Sequence, residues 1–115
     1  MILYSENPIL EHIARERSSR VIFPALREIE TNLLGEHQIS NGRIAYEAGI
    51  FLSIPPTVIQ SALLHVHHDG RLQYVETNLL IDGAHNEGGL AKLQNYLHDE
   101  KENWDEIIYC ANLRV

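Results

Sequence analysis

Cysteine is nearly missing from this chain: Cys110 stands alone, so no disulfide can close within it. Set in the apolar run Ile107-Ile108-Tyr109-Cys110, it reads as a small buried hydrophobe rather than a nucleophile. Basic residues are also scarce. Nine Lys and Arg face sixteen Asp and Glu, for a net charge of -7. That balance argues against a protein that grips nucleic acid through its phosphates. It leaves small anionic ligands open, because a few local groups can hold one. There is no apolar run of membrane-spanning length and no signal-peptide pattern, so a reducing cytoplasmic setting without membrane contact is the expectation. Internal repeats, low-complexity tracts and long linkers are absent as well. The single tryptophan, Trp104, is expected at the edge of the last strand.

What is present suits a folded protein. The 115 residues are 44% hydrophobic, enough for one α/β domain or pieces of two. Ile2-Leu3-Tyr4 reads as a strand. Asn7 can cap a helix that opens on Pro8, with Ile9, Leu10, Ile13 and Ala14 on one face. Val21-Ile22-Phe23 reads as the next strand, and a further strand is expected over residues 29–34. Strand–helix–strand is the grammar of a parallel sheet. Ile44, Ala48, Phe51 and Leu52 predict a helix over residues 40–52. Pro55-Pro56 starts another, with Val58, Ile59, Ala62, Leu63 and Val66 as its apolar face and Gly70 as its stop. Residues 71–76 and 79–82 then read as a hairpin turning at Thr77-Asn78. A helix over residues 86–98 and a strand at 107–110 complete the pattern.

Four clusters can carry chemistry. In Asp82-Gly83-Ala84-His85-Asn86, an acid at a strand end can hold a ribose, and the helix start beyond it offers free N–H groups to a phosphate. Turn chemistry explains the same residues without a ligand: Asp82 closing the turn, Asn86 capping, His85 merely exposed. In Gly35-Glu36-His37-Gln38-Ile39-Ser40-Asn41, Gln38 and Asn41 share a face if the helix has already begun. Their amides can then read a base edge, whereas Ser40 or Asn41 can equally be a cap. In Gly70-Arg71-Leu72, the planar fork of Arg71 suits a phosphate, or it pairs with Asp69 or Glu76. His65 and His68 have a usable metal-ligand spacing, but no second pair accompanies them, and histidines in a last turn also suit the helix dipole.

Taken together and in order, three of these segments resemble one family. Leu34-Gly35-Glu36-His37-Gln38 with Asn41, then Gly70-Arg71-Leu72-Gln73, then Leu80-Ile81-Asp82-Gly83-Ala84-His85-Asn86 are similar to the motifs of folylpolyglutamate synthase and dihydrofolate synthase, members of the Mur ligase superfamily. The family pattern runs L-x-G-x-H-Q-x-x-N, P-G-R-L-E and L-D-G-A-H-N, and the likeness spans most of residues 30–115. It implies that residues 1–69 are the end of a Mur-ligase central ATPase domain and residues 70–115 the start of its Rossmann-like C-terminal domain. It implies a cytoplasmic, ADP-forming ligase of folate biosynthesis and one-carbon metabolism. ATP with Mg²⁺ phosphorylates a carboxylate of a folate or dihydropteroate, and the amine of L-glutamate displaces the phosphate to form an amide. Asn41 is then expected at the adenine, Arg71 at the nucleotide phosphates and Asp82 at the ribose. His85 is expected beside the γ-phosphate and the reacting carboxylate, stabilising the charge that develops there.

The sequence departs from that pattern at three positions. Asp69 stands where Pro usually precedes Gly-Arg, Gln73 replaces Glu, and Glu87 follows the His-Asn pair where Pro is common. The glycine-rich phosphate loop with its Lys and Ser/Thr does not occur in these residues, nor do that domain's Mg²⁺ ligands. An internal fragment that is inactive by itself is therefore the leading expectation. Its rivals are another Mur-type amino-acid ligase and a non-catalytic assembly module whose sheet edge pairs with another chain.

Overall fold

Why the first described helix forms is visible in its ends. The computed structural model describes residues 8–18, 21–100, 106 and 108. Helix α1, Pro8–Glu16, opens on a proline whose missing N–H costs nothing there. It carries Glu11 in its first turn and Arg15 in its last, as the helix dipole favours, and the two side chains meet at 3.2 Å. Of the expected apolar face only Ala14 is buried; Ile9, Leu10 and Ile13 are exposed. The expected strand at 2–4, the cap at Asn7, and Trp104 and Cys110 lie outside the described residues. Ile108, the one described residue of the expected last strand, is exposed.

Residues 21–34 do not pair as strands beyond a single bridge at Ile22. They are instead tied to helices. Asn32 donates from its backbone N to Leu63 O (3.1 Å) and from Nδ2 to Val66 O (3.2 Å). The Arg27 guanidinium lies 4.2 Å from the Tyr46 ring centroid and reaches Glu47 at 3.4 Å, while Arg43 Nε donates to Arg27 O at 2.9 Å. A segment whose polar groups are spent on helices has no ladder to offer a sheet neighbour, which is why the strand expected over 29–34 is not found.

Helix α2, Glu36–Phe51, begins four residues earlier than the sequence suggests, with Gly35 as its N-cap. Ser40 and Asn41 therefore lie inside the helix and cap nothing. Its buried residues are Gln38, Gly42, Tyr46 and Gly49, a single stripe at helical spacing. The expected face fails in part: Phe51 and Leu52 are exposed. The stripe is buried because glycines let neighbours come close. A Cβ on Gly42 would lie 2.7 Å from Ile29 Cγ2, and one on Gly49 2.6 Å from Ile59 Cδ1. Helix α3, Pro56–His65, supplies that Ile59, its buried residue. The helix ends at His65 rather than near Gly70. Asn32 has taken the Leu63 and Val66 carbonyls, and Val66 is already extended.

The expected hairpin is present. Strands β1, Gln73–Glu76, and β2, Leu79–Ile81, pair antiparallel with Gln73 opposite Ile81, and an irregularity between Tyr74 and Glu76 shifts the register. This is the sheet of the described residues; the parallel pairing expected from the opening segments involves residues 2–4, which lie outside them. Helix α4, Glu87–Asp99, matches the sequence expectation closely. Its N-cap is Asn86, whose side chain accepts from Gly89 N at 2.8 Å. Helices with a small antiparallel sheet make the fold mixed α/β. The chain divides into two compact units, Met1–Gly83 and Ala84–Val115. Among the described residues no helix is long and apolar enough to cross a membrane.

Candidate functional site

Within the first unit, three segments separated in sequence converge on Leu72. This residue is 2% exposed and adopts φ +45°, a left-handed conformation costing about 1–3 kcal/mol for a side chain of this kind. Two contacts hold it there. Its N–H donates to Asp82 Oδ2 at 2.9 Å. Its Cδ1 lies 2.9 Å from where a Cβ on Gly35 would stand, so only glycine leaves room. Gly35 itself sits at φ +93°, where a side chain is strained regardless of space. The turn before α2, the turn before β1 and the end of β2 are thereby fastened to one another.

The turn at residues 69–73 is tied further. Gly70 N donates to Gln73 Oε1 (2.8 Å), Gln73 Nε2 donates to Asp69 Oδ1 (3.1 Å), and Gly83 N donates to Gly70 O (2.6 Å). Arg71 rides on this frame, exposed. Its guanidinium has no hydrogen-bond or ion-pair partner among the described residues, so neither Asp69 nor Glu76 holds it. A free planar fork on a braced turn is disposed to take a carboxylate or phosphate in two parallel bonds.

On α2, the polar side chains form a short chain. Asn41 Nδ2 donates to Gln38 Oε1 at 2.9 Å, and Gln38 Nε2 lies 3.2 Å from His37 Nε2. Gln38 is 5% exposed, while Asn41 is at the surface. The His37 ring occupies the space that Gly35 leaves empty, with Cε1 2.8 Å from the position of a Cβ there. Asn41 lies six residues beyond Gly35, about 9 Å along a helix axis.

Asn41, Arg71 and Asp82 thus belong to one unit and are linked through Gly35, Leu72 and the Asp82 carboxylate. His85 belongs to the second unit, where it is exposed and directly precedes the Asn86 cap. Among the described residues no group of His, Cys, Asp and Glu could hold a metal ion. The histidine cluster has protein partners: His65 Nδ1 lies 2.7 Å from Ser61 O, and His67 Nε2 lies 2.8 Å from Asp69 Oδ1. His68 falls outside the helix, so the ligand spacing expected of a helical His65–His68 pair is lost. The role of Leu72 is what a sequence reading passes over, and Gln38, expected to offer its amide to a base edge, is instead buried. A leucine in a left-handed turn has no sequence signal.

Comparison with protein-family models, with curated proteins and with solved structures found no match for this chain.

Proposed function

We propose that this chain is part of an ATP-dependent amide ligase of the folylpolyglutamate synthase and dihydrofolate synthase type, adding L-glutamate to a folate or dihydropteroate through an acyl phosphate. In this reading residues 1–69 end the Mur-ligase ATPase domain and residues 70–115 begin its Rossmann-like partner. The observation that carries the reading is the convergence on Leu72: the three resembling segments are bound to each other through Gly35, Leu72 and Asp82. A chance likeness scattered along 50-odd positions has no reason to converge in space.

Two departures from the family pattern also lose weight. Asp69 and Gln73 hydrogen-bond to each other, so they form one coupled change. A Glu at 73 beside Asp69 would oppose like charges, and glutamine supplies the donor that glutamate lacks. Exposed apolar side chains further fit a chain covered by more polypeptide: Leu26 is 92% exposed and Phe51 65%.

The roles follow from the resemblance. Asn41 meets the adenine, Asp82 the ribose and Arg71 the phosphates, with Mg²⁺ held by residues outside this sequence. His85 stabilises the oxyanion formed when the carboxylate attacks the γ-phosphate and when the amine attacks the acyl phosphate. The chain alone lacks the phosphate loop, so it binds nucleotide without turning it over. Incubated with ATP, Mg²⁺, glutamate and a folate, it releases no ADP above blank, while unlabelled ADP displaces a fluorescent adenine nucleotide from it. Displacement by no nucleotide at all, or steady turnover, refutes the assignment.

A further inference from the structure

Between Glu47 and Asp69 the chain carries no Asp, Glu, Lys or Arg, and no other uncharged run is longer than seven residues. That gap covers the end of α2, the turn after it and the whole of α3. The turn is firmly held: Ser53 N donates to Ile50 O (2.9 Å), Ile54 N to Gly49 O (3.0 Å) and Val58 N to Pro55 O (2.9 Å). Ile59 is buried there against Gly49. Around the same turn Ile50, Phe51, Leu52, Ile54 and Val58 are left exposed, Phe51 at 65% and Leu52 at 68%. They fall within nine consecutive residues and present on the order of 500 Å² of apolar surface, towards the upper end of what a monomer leaves open. Other exposed apolar side chains have charge beside them in sequence: Leu26 adjoins Arg27 and Glu28, and the face of α1 adjoins Glu11 and Arg15.

We propose that this patch is a self-association surface, on which a second copy of the chain docks in a two-fold arrangement, the α2–α3 turn of one against that of the other. Charge selects the occupant. A helix lying in a membrane surface carries Lys and Arg beside its apolar face, nucleic acid demands them, and a charged peptide needs a counter-charge; residues 48–68 offer neither Lys and Arg nor Asp and Glu. A second copy brings an apolar, uncharged face of its own, the same patch on both sides as a two-fold contact requires. Two chains of net charge -7 repel each other elsewhere, and here they meet with no carboxylate facing a carboxylate. The fixed backbone of the turn leaves little to be ordered on docking. The apolar patch, with exposed Ser53 and Thr57 at its rim, falls short of the ~800 Å² per partner of a standard interface, so the dimer is reversible. In the ligase reading Phe51 awaits cover by further polypeptide; here the cover is a second copy, and the inference does not depend on that reading.

Sedimentation velocity of the whole chain tests it, from about 1 μM to about 1 mM and at low and high salt. The native chain passes from monomer to dimer across that range, and salt strengthens the dimer by screening the like charges of the two copies. Leu52→Glu sets a carboxylate on the face of both copies and weakens dimerisation by about tenfold or more. Leu26→Glu, at an exposed position away from the patch, changes it by less than about twofold. If Leu52→Glu does not fold, dilution of the ¹⁵N-labelled native chain still decides, because the amide shifts between dimer and monomer then concentrate at residues 50–58. A chain that stays monomeric at every concentration overturns the proposal. So does a dimer that Leu26→Glu disrupts and Leu52→Glu does not, a dimer that salt dissociates, or dilution shifts that spare residues 50–58. Binding to phosphatidylcholine vesicles by a chain that is monomeric in solution gives the face to lipid and equally overturns it. A monomer that still binds ADP removes this inference and leaves the ligase reading standing.

Discussion

Gly35→Ala is the perturbation that bears most directly on the packing beneath the site. At φ +93° an alanine is strained, at about 1–3 kcal/mol. Its methyl would also stand 2.8 Å from His37 Cε1 and 2.9 Å from Leu72 Cδ1. His37 can swing away, but Leu72 is 2% exposed and held by its N–H to Asp82, so the chain must yield around a packed residue. Overpacking of that kind costs about 1–3 kcal/mol. The two effects together come to about 2–6 kcal/mol, a large share of the stability of a small domain, and lower Tm by roughly 10 °C or more. Thermal and urea unfolding followed by circular dichroism measures it. Gly88→Ala is the control: a Cβ there meets nothing nearer than Asn86 Oδ1 at 3.8 Å, and in a helix the change is neutral or stabilising by about 0.5–1 kcal/mol. If Gly35→Ala stays within about 0.5 kcal/mol of the native chain, the level of an ordinary surface substitution, the contact between Gly35 and Leu72 is not what joins these segments.

Three further outcomes are expected. Asp82→Ala leaves the buried N–H of Leu72 without its carboxylate and destabilises the first unit by about 1–3 kcal/mol; Asp82→Asn, which keeps an acceptor, recovers most of this in the same unfolding assay. Asn86→Ala removes the bond from Gly89 N and costs α4 about 1 kcal/mol, seen as faster amide exchange in its first turn and not in α2 or α3. Arg71→Ala, at an exposed side chain with no partner among the described residues, shifts unfolding by less than about 0.5 kcal/mol yet weakens adenine-nucleotide binding severalfold. A stability loss equal to that of Asp82→Ala would mean Arg71 braces the fold instead of facing a ligand.

The elements most legible in the sequence were those with local signals at their ends. Pro8 and Pro56 opened helices where expected, Asn86 capped α4, and Thr77-Asn78 turned the hairpin. What failed depended on distant partners. The end of α3 and the fate of residues 29–34 were both decided by Asn32, whose bonds to Leu63 O and Val66 O span more than thirty positions. The buried stripe of α2 was misread because apolar periodicity pointed to Phe51 and Leu52, while the close approach made by Gly42 and Gly49 buries the opposite choice. At the site, Asn41, Arg71 and Asp82 could be named from motif order. Their linkage through a left-handed Leu72 could not, since it arises only when the chain has folded.

If Asn41, Arg71 and Asp82 address one adenine nucleotide, as proposed, all three respond to it together. An ADP titration of the ¹⁵N-labelled chain, read residue by residue in amide and side-chain resonances, tests it most directly. Saturable shifts that share one dissociation constant are expected at Asn41, Arg71 and Asp82, while residues of α1 stay still. Shifts confined to the histidines at 65, 67 and 68, or no saturable shift at Asn41, Arg71 and Asp82, would contradict it.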